Sequence, residues 1–241
     1  MHTRLRKLRK EPMRWLEDLA TLFFPQPCAG CGEPLPPGGI PVCQRCLAGL
    51  PATGFEKQAG NPVEKLFRGR IPLSGACSIF YFTRGSALQS MIHHLKYLDR
   101  PDIGHFLGRR MGEALQATGR FRNMEALVPL PLYPQRQRQR GYNQAEEIAK
   151  GIAEAMQIPV LPGAVARVIR TDTQTRKNRL DRWKNVSGSF SVRKEKLLHY
   201  RRILLVDDVV TTGATLEACG SALLETGGLQ LGIATLAYAD R

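Results

Sequence analysis

Residues 203–216 read ILLVDDVVTTGATL, and the architecture of the whole chain follows from them. Ile203, Leu204, Leu205 and Val206 form a short, unbroken apolar run. Such a run reads as a strand buried on both faces, the signature of a parallel sheet. Two carboxylates, Asp207 and Asp208, follow the strand; Val209 and Val210 come next, then the polar turn Thr211-Thr212-Gly213-Ala214-Thr215. Leu216, Cys219, Leu223 and Leu224 then recur at helical spacing until Gly227-Gly228 ends the helix.

A strand that opens onto a helix N-terminus collects free backbone N–H groups and the positive end of the helix dipole, which suits a phosphate. Gly213 lets the backbone approach an anion closely, and the threonines add hydroxyl donors. The two aspartates would repel a bare phosphate, so they need another target, and sugar hydroxyls beside a divalent cation fit best. No Gly-Lys-Ser/Thr is present, which excludes a P-loop. Receiver domains also pair aspartates, but without this glycine–threonine turn directly after them. The stretch resembles the 5-phosphoribosyl-1-pyrophosphate (PRPP) loop of type I phosphoribosyltransferases: apolar strand, Asp-Asp, two variable residues, Thr-Thr-Gly-x-Thr.

A chain of 241 residues with ordinary apolar content is expected to form one or two globular domains. No apolar run approaches the ~20 residues needed to cross a membrane, and Leu19–Phe24 is too short for a signal-peptide core, so a cytoplasmic protein is expected. The net charge of +14, from 35 basic and 21 acidic residues, favours polyanionic partners or an anionic substrate.

Residues 1–25 read as a basic tail, with Arg4, Arg6, Lys7, Arg9 and Lys10, followed by an amphipathic helix bearing Trp15, Leu19 and Leu22. Cys28-x2-Cys31 and Cys43-x2-Cys46 follow, separated by eleven residues. Each pair can turn two sulfurs toward one tetrahedral centre, and four thiolates close the shell, so structural zinc with no open position is expected. Cys77 and Cys219 stand alone in apolar surroundings and read as buried small side chains. Leu50–Gly69, rich in Gly and Pro, reads as a linker, giving a four-cysteine module with linker over 26–70 and an α/β domain over 71–241.

In that domain Ala76–Phe82 reads as a strand, and Ser86 with Gln89 as a capping box for a helix bearing His93, His94, Lys96 and Tyr97. The histidines are expected at the surface, not on a metal. Pro101 opens a helix with the stripe Ile103, Leu107, Met111 and Leu115. ALVPLPL, ending at Leu132, supplies a strand that stops at Pro129 and Pro131, and an arginine-rich loop with Arg136, Arg138 and Arg140 follows. Asn143 with Glu146 then caps a helix striped by Ile148, Ile152 and Met156, so this loop is a second anion site. A short strand is expected over 164–168. The polar, basic segment beyond it suits a mobile lid, and Leu231–Tyr238 forms the last strand. This order predicts an α/β fold with a largely parallel sheet, and both anion loops open at the carboxyl edge where such sheets bind ligands.

With these pieces placed, residues 25–241 resemble the ComF family of competence-associated, phosphoribosyltransferase-like proteins. The carriers are the four-cysteine module, HHLKY at His93–Tyr97, VPLPLYPQRQRQRGYNQAE, TQTRKNRLDRWKNVSGSF and the PRPP loop. Tyr142 stands where Phe is common, and Arg176-Lys177-Asn178 replaces a more neutral run. The resemblance implies a type I phosphoribosyltransferase fold and a set of roles. Asp207 and Asp208 would contact the ribose hydroxyls or order water around Mg²⁺. Thr211–Thr215 would hold the 5-phosphate. Lys96, Arg136, Arg140, Gly141, Asn143 and Gln144 would contribute to PRPP and its pyrophosphate. The 171–186 lid would bring Arg179 and Arg182 to the leaving group.

Two functions compete. One is a Mg²⁺-dependent phosphoribosyltransferase of nucleotide salvage or synthesis acting on a nitrogen nucleophile. No N-terminal cysteine nucleophile or glutaminase domain is readable, which argues against glutamine-dependent amidotransfer. The other, which the ComF resemblance favours, is a PRPP- or nucleotide-binding protein of DNA uptake. It would handle single-stranded DNA alongside a ComF-type helicase and recombination proteins, with Trp183 and Tyr142 beside basic loops for stacking.

Overall fold

A computed structural model describes residues 26–36, 39–168, 189–193, 197 and 200–240. Its strands are β1 (Gly75–Tyr81), β2 (Ala126–Pro129), β3 (Val165–Arg167), β4 (Phe190–Val192), β5 (Arg202–Val210) and β6 (Gln230–Tyr238). Its helices are α1 (Gln44–Ala48), α2 (Pro62–Phe67), α3 (Ala87–Tyr97), α4 (Pro101–Ala117), α5 (Pro134–Arg140), α6 (Gln144–Met156) and α7 (Ala214–Leu224). The fold is α/β as expected: a four-stranded parallel sheet in the order β1-β6-β5-β2, flanked by helices.

β5 lies inside this sheet, and Ile203–Val206 are fully buried, as an apolar run covered on both faces must be. The strand does not stop before the aspartates. Its pairing with β6 continues through Asp207↔Thr235 to Val210↔Tyr238, because the long apolar β6 offers a partner that far. Asp207 and Asp208 are therefore strand residues, held by the sheet.

The helical stripes expected from the sequence are buried: Leu88, Ile92 and Leu95 in α3; Ile103, Leu107, Met111 and Leu115 in α4; Ile148, Ile152 and Met156 in α6. α4 and α6 touch through their backbones. A Cβ on Gly108 would stand 2.1 Å from the Ile148 carbonyl oxygen, and one on Gly151 2.1 Å from that of His105.

Three expectations are corrected. Residues 50–69 are not a free linker. Ala52 bridges to Phe80 of β1, and Phe55, Val63 and Phe67 are buried. Asn61, fully buried, caps α2 by accepting from the Val63 and Glu64 N–H groups while its amide donates to the Phe55, Gln58 and Ala76 carbonyls. The arginine-rich loop is largely helix α5: Pro134 takes the first turn, where its missing N–H costs nothing, and Gly141 closes the end at φ 85°. The strand expected at 164–168 forms as β3, but outside the main sheet; it pairs antiparallel with β4. The Val168 N–H donates to the Ser189 carbonyl (2.8 Å), so this ribbon joins the two ends of the segment read as a lid. That lid, with Arg179, Arg182 and Trp183, lies outside the described residues, as do residues 1–25.

Candidate functional site

The turn after β5 leads straight into the N-terminus of α7. Gly213 has φ 75° and caps α7 without a side-chain hydrogen bond. The N–H groups of Thr211, Thr212 and Gly213 meet no acceptor among the described residues, and that of Ala214 reaches only the Thr212 hydroxyl at 3.4 Å. Unpaired donors at the positive end of a helix form an anion cradle. A Cβ at Gly213 would stand 2.8 Å from the Phe67 ring, so α2 closes the back of the turn.

Arg70, just beyond α2, ties the turn down. Its guanidinium donates to the Leu66 carbonyl (2.9 Å) and the Thr212 carbonyl (3.2 Å) and forms an ion pair with Glu217 in the first turn of α7. Sequence reasoning missed Arg70 and Phe67, because both lie in the stretch read as a linker and carry no motif.

The carboxylates sit immediately upstream. Asp208 is buried; its Oδ1 accepts from the Val209 N–H (2.8 Å) and its Oδ2 lies 2.5 Å from Lys96 Nζ. Asp207 is half-buried, and its Oδ1 accepts from the Asp208 N–H at 2.8 Å. Burial, and then the negative charge of Asp208, hold the Asp207 carboxyl well above the usual carboxylate range. The expected pair thus divides: one carboxylate is neutralised by a lysine, the other favours its proton.

Lys96 belongs to the last turn of α3, which is locally fixed. Ser86 caps its start, His94 Nδ1 pairs with the Ser90 carbonyl (2.8 Å), and the Tyr142 hydroxyl donates to the Leu95 carbonyl. The histidines are surface and helix features, as expected. Tyr142 is half-buried, with its hydroxyl committed to this bond.

Lys96 also lines a cavity of about 690 Å³ with Tyr97, Asp99, Arg136, Arg138 and Arg140. The structure so brings Lys96, Arg136, Arg140 and Gly141 to one cavity, and joins that cavity to Asp208 through the lysine. Asn143 and Gln144 are buried behind it. The Asn143 amide donates to the Leu130 carbonyl (3.0 Å) and its Oδ1 accepts from Ala145 N–H, while Gln144 accepts from Arg140. Both support the loop from within.

The four cysteines converge, with their sulfurs all within 4.8 Å of one another. Burial opposes ionisation of Cys28, but N–H groups of Cys43, Cys31 and Gly30 outweigh it and bring the thiol to about 6. Burial, then the neighbouring sulfurs, push Cys46 up. One ready thiolate among crowded sulfurs suits a divalent ion such as zinc, which would neutralise the cluster. Cys77 and Cys219 are fully buried, as expected.

The profile of the Phosphoribosyl transferase domain matches residues 140–241. The chain is 35% identical to Competence protein F of Haemophilus influenzae over 63% of its own length and 68% of that protein's. It belongs to the competence protein F family. The DNA utilization protein YhgH of Escherichia coli, another relative, is 28% identical over 86% of this chain and 94% of its own. Competence protein ComFC of Bacillus subtilis is 32% identical over 42% of this chain and 39% of its own. Among solved structures, a glutamine PRPP amidotransferase from B. subtilis is 18% identical with a TM-score of 0.40, over 59% of this chain and 30% of that one. The matched transferase profile runs from the end of α5 through β6. In this competence protein F relative it takes in the Thr211–Gly213 turn and both aspartates, while Lys96 and the four clustered cysteines lie upstream of it. Among the described residues no helix is long and apolar enough to cross a membrane.

Proposed function

We propose that this chain binds PRPP with Mg²⁺ at the turn between β5 and α7 and serves DNA uptake in natural competence, handling single-stranded DNA in the cytoplasm. The observation that carries the PRPP reading is the unpaired N–H cradle of Thr211–Gly213 directly after Asp207 and Asp208. In this reading the cradle and the threonine hydroxyls hold the 5-phosphate, and the aspartates take the ribose hydroxyls. Lys96 and the arginines of α5 face the pyrophosphate, with Arg179 and Arg182 completing that side. Mg²⁺ would supply charge stabilisation on the pyrophosphate oxygens. The printed names of the relatives support the DNA-uptake half, and a helicase and recombination proteins are the partners that such a role calls for.

The decisive experiment is a transformation assay on a strain carrying Asp207→Asn with Asp208→Asn, with protein level checked. The purified variant should lose PRPP binding by calorimetry while keeping its zinc. Loss of both together would mean misfolding, and unchanged PRPP affinity would overturn the site.

The matched transferase domain favours a second reading, a Mg²⁺-dependent phosphoribosyltransferase that displaces pyrophosphate from ribose C1 with a nitrogen nucleophile. Electrostatic stabilisation of the departing oxygens by basic residues would carry that step. Pyrophosphate release across a panel of bases tests it, and PRPP binding without turnover of any base counts against it.

A further inference from the structure

α3 ends on Tyr97, which is 67% exposed, and the chain leaves the helix through Leu98, 52% exposed. The ring is presented from a fixed base. The Leu95 carbonyl takes the Tyr142 hydroxyl, Lys96 is ion-paired with Asp208, and Asp99 turns the chain at φ 50°. His93 lies 5.0 Å from the ring, tilted by 46°, and the Arg140 guanidinium lies over it at 5.6 Å. Across the 690 Å³ cavity α5 presents Arg136 and Arg138, neither of which has an ion-pair partner among the described residues. Among the described residues Asp99 is the one acidic residue lining this cavity. A fixed, exposed aromatic face opposite unpaired guanidiniums matches a planar base joined to successive phosphates.

We propose that the Tyr97 groove is a base-stacking subsite for single-stranded nucleic acid, with one base on the Tyr97 ring and the neighbouring phosphates on Arg136 and Arg138. This deepens the DNA reading above and rests on it; Arg136 and Arg138 also face the pyrophosphate in that reading, so PRPP and the strand compete for them and the binding test is run without PRPP. A duplex keeps its bases stacked internally and has none to offer the ring; a mononucleotide would use only part of the groove.

The test is fluorescence anisotropy of the full chain with a labelled oligo-dT of about 12 nucleotides, titrated across a range of salt concentrations. Tyr97→Leu should weaken binding about 5- to 150-fold, the worth of one stacked base, with the salt slope unchanged. Tyr97→Phe should stay close to the parent. Arg136→Gln with Arg138→Gln should flatten the log–log salt slope by about 1.4, two phosphate contacts on a single strand. An abasic oligomer of equal length should bind the parent and Tyr97→Leu alike. Zinc content and melting temperature verify each variant's fold. Equal dT binding by parent and Tyr97→Leu would overturn the subsite while leaving the DNA reading standing. A parent that binds no single strand at moderate salt would overturn both. Duplex or dTMP bound as tightly as the oligomer would overturn the single strand as occupant.

Discussion

Asp207 and Asp208 are neighbours in one strand, yet the fold treats them differently. Lys96 lies 2.5 Å from Asp208 and offsets its charge, while its pull on Asp207 does not outweigh burial and the Asp208 charge. Burial, with the adjacent Asp208 charge, raises the Asp207 pKa, so the folded chain holds this proton to higher pH than the unfolded chain does. The native state then binds more protons than the unfolded state over that interval, and stability falls as pH rises. The contribution of Asp207 is fully present below the ordinary carboxylate pKa and is lost as pH climbs through the raised folded value. Asp207→Asn removes the ionisation. It should melt above the parent at pH 8, and the gap should close toward pH 4. A difference independent of pH, read by differential scanning calorimetry in the ligand-free protein, would show that ionisation is not what Asp207 contributes. The proposed Mg²⁺-bearing ligand would reverse the local balance, since a divalent cation favours the ionised carboxylate.

The turn between β5 and α7 is an element shaped from behind. Gly213 is needed twice, for its positive φ and because the Phe67 ring fills the space a Cβ would occupy. Gly213→Ala should cost about 1–3 kcal/mol, the cost of a strained backbone conformation in a side-chain-bearing residue. Because part of that cost is steric, Gly213→Ala in a Phe67→Leu background should lose less than the two single changes summed. Additive losses in urea denaturation would remove the steric part of the explanation. The turn itself was legible in the sequence, because an apolar run, two carboxylates and Thr-Thr-Gly-x-Thr are local signals. Its backing was not. Asn61 and Pro62 lie in the stretch read as a linker, whereas in the fold one caps α2 and the other opens it, and Phe67 declares itself only through a neighbour far along the chain. The arginines of α5 read as a loop for a related reason: QRQRQR has no apolar stripe, and none of its residues is buried, so only Pro134 and Gly141 mark a helix there.

At the scale of the whole molecule the question is how the cysteine cluster and the proposed PRPP site, distant in sequence, bear on one another. The cluster rests on α3: the Ser90 hydroxyl donates to the Ala29 carbonyl at 2.8 Å, and a Cβ on Gly30 would meet Met91 Cε at 3.0 Å and Ala87 Cβ at 3.1 Å. The same helix carries Lys96 to Asp208 at its other end. Cys28, Ala29, Val42 and Cys46 belong to one continuous core with Met91, Leu95 and the sheet. A metal that holds the four sulfurs therefore also holds the surface on which the first turns of α3 pack. Removing it leaves four crowded sulfurs, one of them a ready thiolate, with no ion to hold them together. Because a structural ion binds the folded state alone, its loss lowers stability by several kcal/mol at ordinary metal excess. Chelation, or Cys31→Ser with Cys43→Ser, should lower the melting temperature and release one zinc per chain. It should also weaken PRPP binding, although none of the four sulfurs belongs to the proposed PRPP site. Hydrogen exchange separates the possible outcomes. If α3 loses protection along with the metal, the helix transmits the effect. If α3 stays protected and PRPP affinity is unchanged, the cysteine module is an independent unit and the packing on Ala29 and Gly30 does not couple it to Lys96.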